Sequence, residues 1–124
     1  MINKLLTILI LTTLTAVTLA AVNTERVRLN RQGKARVGFN INPQSSKKFV
    51  VSLNGSRQLN VKTSGANGKL RVRIQAPNGQ VLANGKRSGF TVDSRNSGDY
   101  TITLKNEDPS QVSGYLKIGD ISGE

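Results

Sequence analysis

Past about residue 25 the chain alternates apolar and polar residues at every second position, not at the three-to-four-residue period of a helix. In Lys34-Ala35-Arg36-Val37-Gly38-Phe39-Asn40-Ile41, the side chains of Ala35, Val37, Phe39 and Ile41 share one side, and polar residues or Gly take the other. That is the pattern of a half-buried strand. Lys69-Leu70-Arg71-Val72-Arg73-Ile74-Gln75-Ala76 repeats it with Leu70, Val72, Ile74 and Ala76 inward. Tyr100-Thr101-Ile102-Thr103-Leu104-Lys105 repeats it again, with β-favouring Thr on the wet face. Shorter strands are predicted at Arg26–Leu29, around Phe49, Val51 and Leu53, at Leu59 and Val61, at Val81-Leu82, and at Phe90–Val92. The last runs from Val112 to Ile118 with Leu116 and Ile118 inward.

Turn residues punctuate these runs. Asn54-Gly55, Asn67-Gly68, Asn78-Gly79 and Asn84-Gly85 are pairs suited to turns with positive φ. In Pro77-Asn78-Gly79-Gln80, proline sets the first central φ. Asn96-Ser97-Gly98-Asp99 and Glu107-Asp108-Pro109-Ser110 are further breaks. No helical period appears after the first twenty residues. Short strands at regular spacing predict an all-β fold, a small antiparallel β-sandwich of jelly-roll type. Ala21–Thr24 and Ser122–Glu124 are expected to fray.

The first twenty residues differ in kind. Lys4 is their only charge, an apolar run follows through Leu19, and small residues surround a cut after Ala20. A basic start, an apolar centre and a small-residue cut predict a cleavable secretory signal peptide over 1–20. Five threonines dilute the run, which disfavours a retained membrane anchor and any span after cleavage. Residues 21–124 then form one domain, periplasmic or secreted. Cleavage removes one basic residue of eighteen, leaving seventeen against seven acids and a net charge of +10. A charge this large points to an anionic partner, a surface polymer or an acidic protein. With no cysteine, the exported domain depends on its apolar core for stability.

Two stretches carry a resemblance. Asn54-Gly55-Ser56-Arg57-Gln58-Leu59-Asn60-Val61 precedes Leu70-Arg71-Val72-Arg73-Ile74-Gln75-Ala76-Pro77-Asn78-Gly79, and Ser97-Gly98-Asp99-Tyr100-Thr101-Ile102-Thr103-Leu104 follows. Their order resembles the bacterial pre-peptidase C-terminal family of secreted β-sandwich domains. The plan of a leader followed by one such domain resembles the periplasmic inhibitors of goose-type lysozyme. The matching residues belong to turns and strands, so the resemblance implies a fold first and a hydrolase partner only by analogy. Some other lysozyme inhibitors carry a functional Ser-Gly-x-x-Tyr. Here Tyr100 comes one residue too early after Ser97-Gly98, and its expected role is structural, ring inward and hydroxyl bonded.

The chemistry is sparse. The chain has neither histidine nor cysteine, which removes the commonest general base, the thiol nucleophile and the commonest metal ligand. The seven acids fall at predicted turns or termini, in no spacing that makes a catalytic pair or a calcium loop. The expectation is a binding module with no catalytic residues, no metal and no cofactor. Period two puts Lys69, Arg71 and Arg73 on one outer face, Arg26 and Arg28 on that of the first strand, and Lys34 and Arg36 on that of the second. If these strands are neighbours, they form one cationic plate, with Arg36, Lys69, Arg71 and Arg73 as its binding residues. Strand-exterior cations also serve solubility and edge protection, the plainer role. An inhibitor would instead use a rigid loop, with Lys86, Arg87 and Ser88 the candidates, and a structural subunit pairing through a strand edge is a third reading. Nucleic acid is disfavoured as partner, because all aromatics but Tyr115 fall on inward positions and leave no stacking platform.

Overall fold

Inward-facing β-branched and aromatic residues at every second position cannot be buried by one sheet alone, and the chain closes two sheets over them. The computed structural model describes residues 22–55 and 58–121; the predicted leader over 1–20 lies outside the described residues. In chain order the strands are β1 (Val22–Val27), β2 (Lys34–Ile41), β3 (Ser46–Leu53), β4 (Gln58–Ser64), β5 (Leu70–Gln75), β6 (Val81–Gly85), β7 (Gly89–Asp93), β8 (Gly98–Asn106) and β9 (Val112–Ile121). A five-stranded sheet has the order β1-β3-β8-β5-β6, and a four-stranded sheet the order β2-β9-β4-β7. Every neighbouring pair is antiparallel except β1 with β3. The expected all-β sandwich is the observed one. Among the described residues no helix is long and apolar enough to cross a membrane.

The core is the set that alternation selects. Phe49, Val51, Leu59, Val61, Leu70, Val72, Ile74, Ile102, Leu104 and Leu116 are all buried between the sheets. Each such burial contributes roughly 1.5–3 kcal/mol, which lets the domain hold without a disulfide. Tyr100 is buried too, and its hydroxyl donates to the Asn96 carbonyl at 2.7 Å, as expected of a structural tyrosine. Burial, and secondarily the charge of Asp93, raises its pKa. Gly98 opens β8 at φ +134°, and a Cβ there would stand 2.9 Å from Pro77, so the close approach of two turns requires glycine.

Several expectations need correction. Val22–Thr24 do not fray; they pair with Ser46–Lys48 as part of β1, which ends at Val27 and so excludes Arg28 and Leu29. Asn84-Gly85 is not a turn centre, because it sits in β6 opposite Arg73 and Val72. The acids are not confined to turns: Glu25, Asp99 and Asp120 lie within strands, and Asp93 ends one. Asn106, fully buried at the end of β8, was not singled out by the pattern. Its Nδ2 donates to the carbonyls of Ile41 and Ser110, and its Oδ1 accepts from the Asp108 amide. One polar side chain thus ties the end of β2 to the β8–β9 turn.

Candidate functional site

The cations expected to form one plate divide between the two sheets. Arg71 and Arg73 project from β5 on the outer face of the five-stranded sheet, whereas Lys34 and Arg36 project from β2 in the four-stranded sheet. Sequence could place each side chain on an outer face but not decide which strands lie side by side.

On the five-stranded face acids answer Arg26 and Arg71, whereas Arg73 and Lys105 join no ion pair among the described residues. Arg26 makes a paired contact with Asp99, through Nη1 to Oδ1 at 3.2 Å and Nη2 to Oδ2 at 2.8 Å, and Ser52 Oγ donates to Oδ1 at 2.6 Å. These bonds, Arg26 first and Ser52 second, hold the Asp99 pKa down at about 2. Glu107 takes Arg71 Nε at 3.2 Å and stands 3.9 Å from Lys86 Nζ. Arg71 also donates to Asn84. Arg73 faces Thr103 and Asn84, Lys105 faces Arg71, and Lys69 is exposed just before β5. Lys86 and Arg87 lie in the connection between β6 and β7. There the Arg87 guanidinium stacks 4.7 Å from the Phe90 ring centre, and the Ser88 carbonyl accepts from the Thr63 amide at 2.8 Å. That short loop is pinned at three residues with its cations outward.

The four-stranded face is different. Strand β9 lies between β2 and β4, so Arg36 stands directly opposite Lys117, and Lys117 directly opposite Lys62. Three cations occupy one row across three strands, side chains about 4.8 Å apart from strand to strand. Like charges in register oppose sheet formation. Among the described residues none of the three joins an ion pair. Arg36 is instead stacked over the exposed Tyr115 ring, 3.9 Å from its centre. The next row reads Lys34, Gly119, Asn60, Thr91. Gly119 offers no side chain there, leaving a shallow depression of about 420 Å³ between the two rows. The acid at the end of this sheet, Asp93, is engaged by Arg95, whose Nε donates to both its oxygens and lowers its pKa.

A larger cleft of about 880 Å³ lies at one end of the sandwich, lined by Arg26, Arg28, Arg31 and Asp120. It is of mixed sign, since Arg26 is paired and the Asp120 Oδ1 is buried there without a hydrogen-bond partner. Asp99 and Glu107 stand at the two ends of β8, too far apart to share an ion. Sequence reasoning missed Lys62, Lys117 and the depression at Gly119. Alternation around Val61 and Leu116 would have put both lysines outward, but only the strand order makes them one row with Arg36.

No protein-family model and no curated protein matches the chain. Solved structures do. The periplasmic inhibitor of g-type lysozyme from Aeromonas hydrophila superposes with a TM-score of 0.66 at 15% identity, covering 80% of this chain and 98% of that one. The Salmonella Typhimurium inhibitor gives 0.57 at 13%, over 77% and 97%. The pre-peptidase C-terminal domain of a Bacillus anthracis collagenase gives 0.56 at 10%, over 78% and 93%. The chain has the fold these proteins share. The resemblance expected from the turn residues therefore holds at the level of fold, which is where turn and strand residues act.

Proposed function

We propose that this chain is an exported, non-catalytic binding domain whose four-stranded outer face engages an anionic partner in the periplasm or outside the cell. The observation that carries this reading is the row Arg36–Lys117–Lys62. A sheet that sets three cations in register, with no acid among them, accepts a local penalty that a solubilising surface avoids by interspersing signs. Such departures from local consistency concentrate at functional sites. The predicted leader and the extracytoplasmic setting of the inhibitors that share the fold support the location.

The purified protein is expected to be retained on an anionic matrix and released by salt. Arg36→Glu with Lys117→Glu should shift elution to much lower salt, because it reverses charges that have no acidic partner. Arg71→Glu with Arg73→Glu should shift it less, since Glu107 already offsets part of that charge. Equal shifts from the two double variants would mean that retention follows net charge alone, and would sink the assignment of the face.

A second reading is inhibition of a secreted hydrolase. It is favoured by the extent of the structural match, because the solved lysozyme inhibitors are covered over 97–98% of their length and so consist of little beyond this domain. The pinned loop holding Lys86, Arg87 and Ser88 is the element such a reading would use. The readings part on ionic strength: a preformed loop in a cleft keeps its grip at physiological salt, whereas an open charged face loses it.

A further inference from the structure

We propose that the depression over Gly119 seats one phosphate-type group of a linear polyanion whose following charges lie along the Arg36–Lys117–Lys62 row. This deepens the reading of the four-stranded face and rests on it. The depression is lined by Ala35, Ile118 and Gly119 as well as by donors. Lys34, Arg36, Lys62 and Lys117 surround it, and the two neutral polar side chains beside them have their oxygens already engaged. Asn30 Oδ1 accepts from the amides of Gln32 at 2.9 Å and Lys34 at 3.0 Å, and Asn60 Oδ1 accepts from Thr91 Oγ1 at 2.6 Å. Both asparagines also carry amide N–H donors. A site of cations and N–H donors selects an acceptor-rich anion.

Three features narrow the class. Three of the four cations are lysines, point charges that suit the spread oxygens of a phosphate more than the planar fork of a carboxylate. The row extends the site by about 10 Å across two strand spacings, farther than one small anion reaches. A chain with a charge on every unit fills the depression and the row together. Among the described residues Tyr115 is the face's one exposed large apolar residue, and Arg36 covers it, which leaves little to enter a bilayer. A polymer therefore fits better than a membrane surface.

Gly119 supplies the test. A Cβ built there meets nothing nearer than Asn60 Cβ at 3.8 Å, and its φ is not in the left-handed region, so a side chain can be introduced at this position without backbone strain or charge change. Binding of long-chain inorganic polyphosphate, orthophosphate, polygalacturonate and phosphatidylglycerol vesicles would be measured by calorimetry at fixed moderate salt. Polyphosphate is expected to bind at least tenfold tighter than the other three, and Gly119→Leu to weaken it about tenfold, the scale of a lost charge-assisted hydrogen bond. Lys62→Gln with Lys117→Gln should weaken it further. If that double variant binds as the parent does, the reading of the whole face falls, and this proposal with it. If the double variant loses binding but Gly119→Leu does not, the face stands and the depression is not the seat. Tighter binding of polygalacturonate or of vesicles overturns the phosphate-polymer assignment. Circular dichroism would check the fold, and if Gly119→Leu does not fold, Gly119→Ala replaces it, with a smaller loss in the same direction expected and no loss counting against the seat.

Discussion

Two glycines in β9 look alike in sequence and differ in what surrounds them. Gly114 alternates with Leu116 toward the core, and a Cβ there would fall 2.0 Å from the Ser64 carbonyl oxygen and 3.0 Å from Phe39 Cζ. Its missing side chain lets β9 and β4 close over the Phe39 ring. Gly119, five residues on, lies on the outer face with open space beside it. Gly114→Ala should destabilise the fold by about 3 kcal/mol, at the upper end of ordinary overpacking, because a strand backbone has to move. Gly119→Ala should be neutral or stabilising by about 0.5 kcal/mol, since alanine narrows the unfolded ensemble at no steric cost here. Urea denaturation with unchanged m-values checks both. Similar losses at the two positions would refute the packing account. No reading of the sequence separates these glycines, because the distinction is made by residues 50 and more positions away.

At the scale of elements, alternation revealed most strands and nearly all of the core, since inward Val, Ile, Leu and Phe follow from local period alone. It failed where long-range pairing decides. Residues 22–24 carry no strand pattern, yet they join β1 because β3 offers them a parallel edge. The Arg26–Asp99–Ser52 contact fastens that edge by linking β1, β3 and β8. Its pH dependence has a definite sign. Folded Asp99 takes up its proton only near pH 2, unfolded Asp99 near its ordinary 3.8. Between these values the unfolded state binds the proton more readily, so the contribution is complete above about pH 4 and is lost as pH falls to about 2. Melting temperature should drop across that interval, and Asp99→Asn should flatten the drop. It should not abolish it, because Asp93, lowered by Arg95, titrates in the same direction. An unchanged slope in Asp99→Asn would show that the contact does not hold β1.

For the molecule as a whole, the sandwich turns one undifferentiated net charge into two unlike surfaces. Among the described residues the five-stranded face answers Arg26 and Arg71 with acids but not Arg73 or Lys105, whereas the four-stranded face leaves Lys34, Arg36, Lys62 and Lys117 all unanswered. Composition could report the excess of cations but not where it collects, since that depends on β9 entering between β2 and β4. The same division bears on the inhibitor reading. A strongly cationic protein is repelled by a basic lysozyme at long range, and that repulsion weakens as the Debye length shrinks to about 8 Å at physiological salt. An inhibitor acting through the pinned 86–88 loop should therefore work at least as well at physiological salt as at low salt, whereas capture of a polyanion by the open face should fade over the same change. Titrating the protein into lysis assays with goose-type and chicken-type lysozyme at both salt levels reads this directly. With the four-stranded face as the working surface, neither enzyme is expected to be inhibited at micromolar protein, while salt-sensitive retention on the anionic matrix persists. Stoichiometric inhibition of one enzyme that is undiminished by salt and lost in Arg87→Ala would move the function from the sheet face to the loop, and leave the cationic row as a solubilising surface.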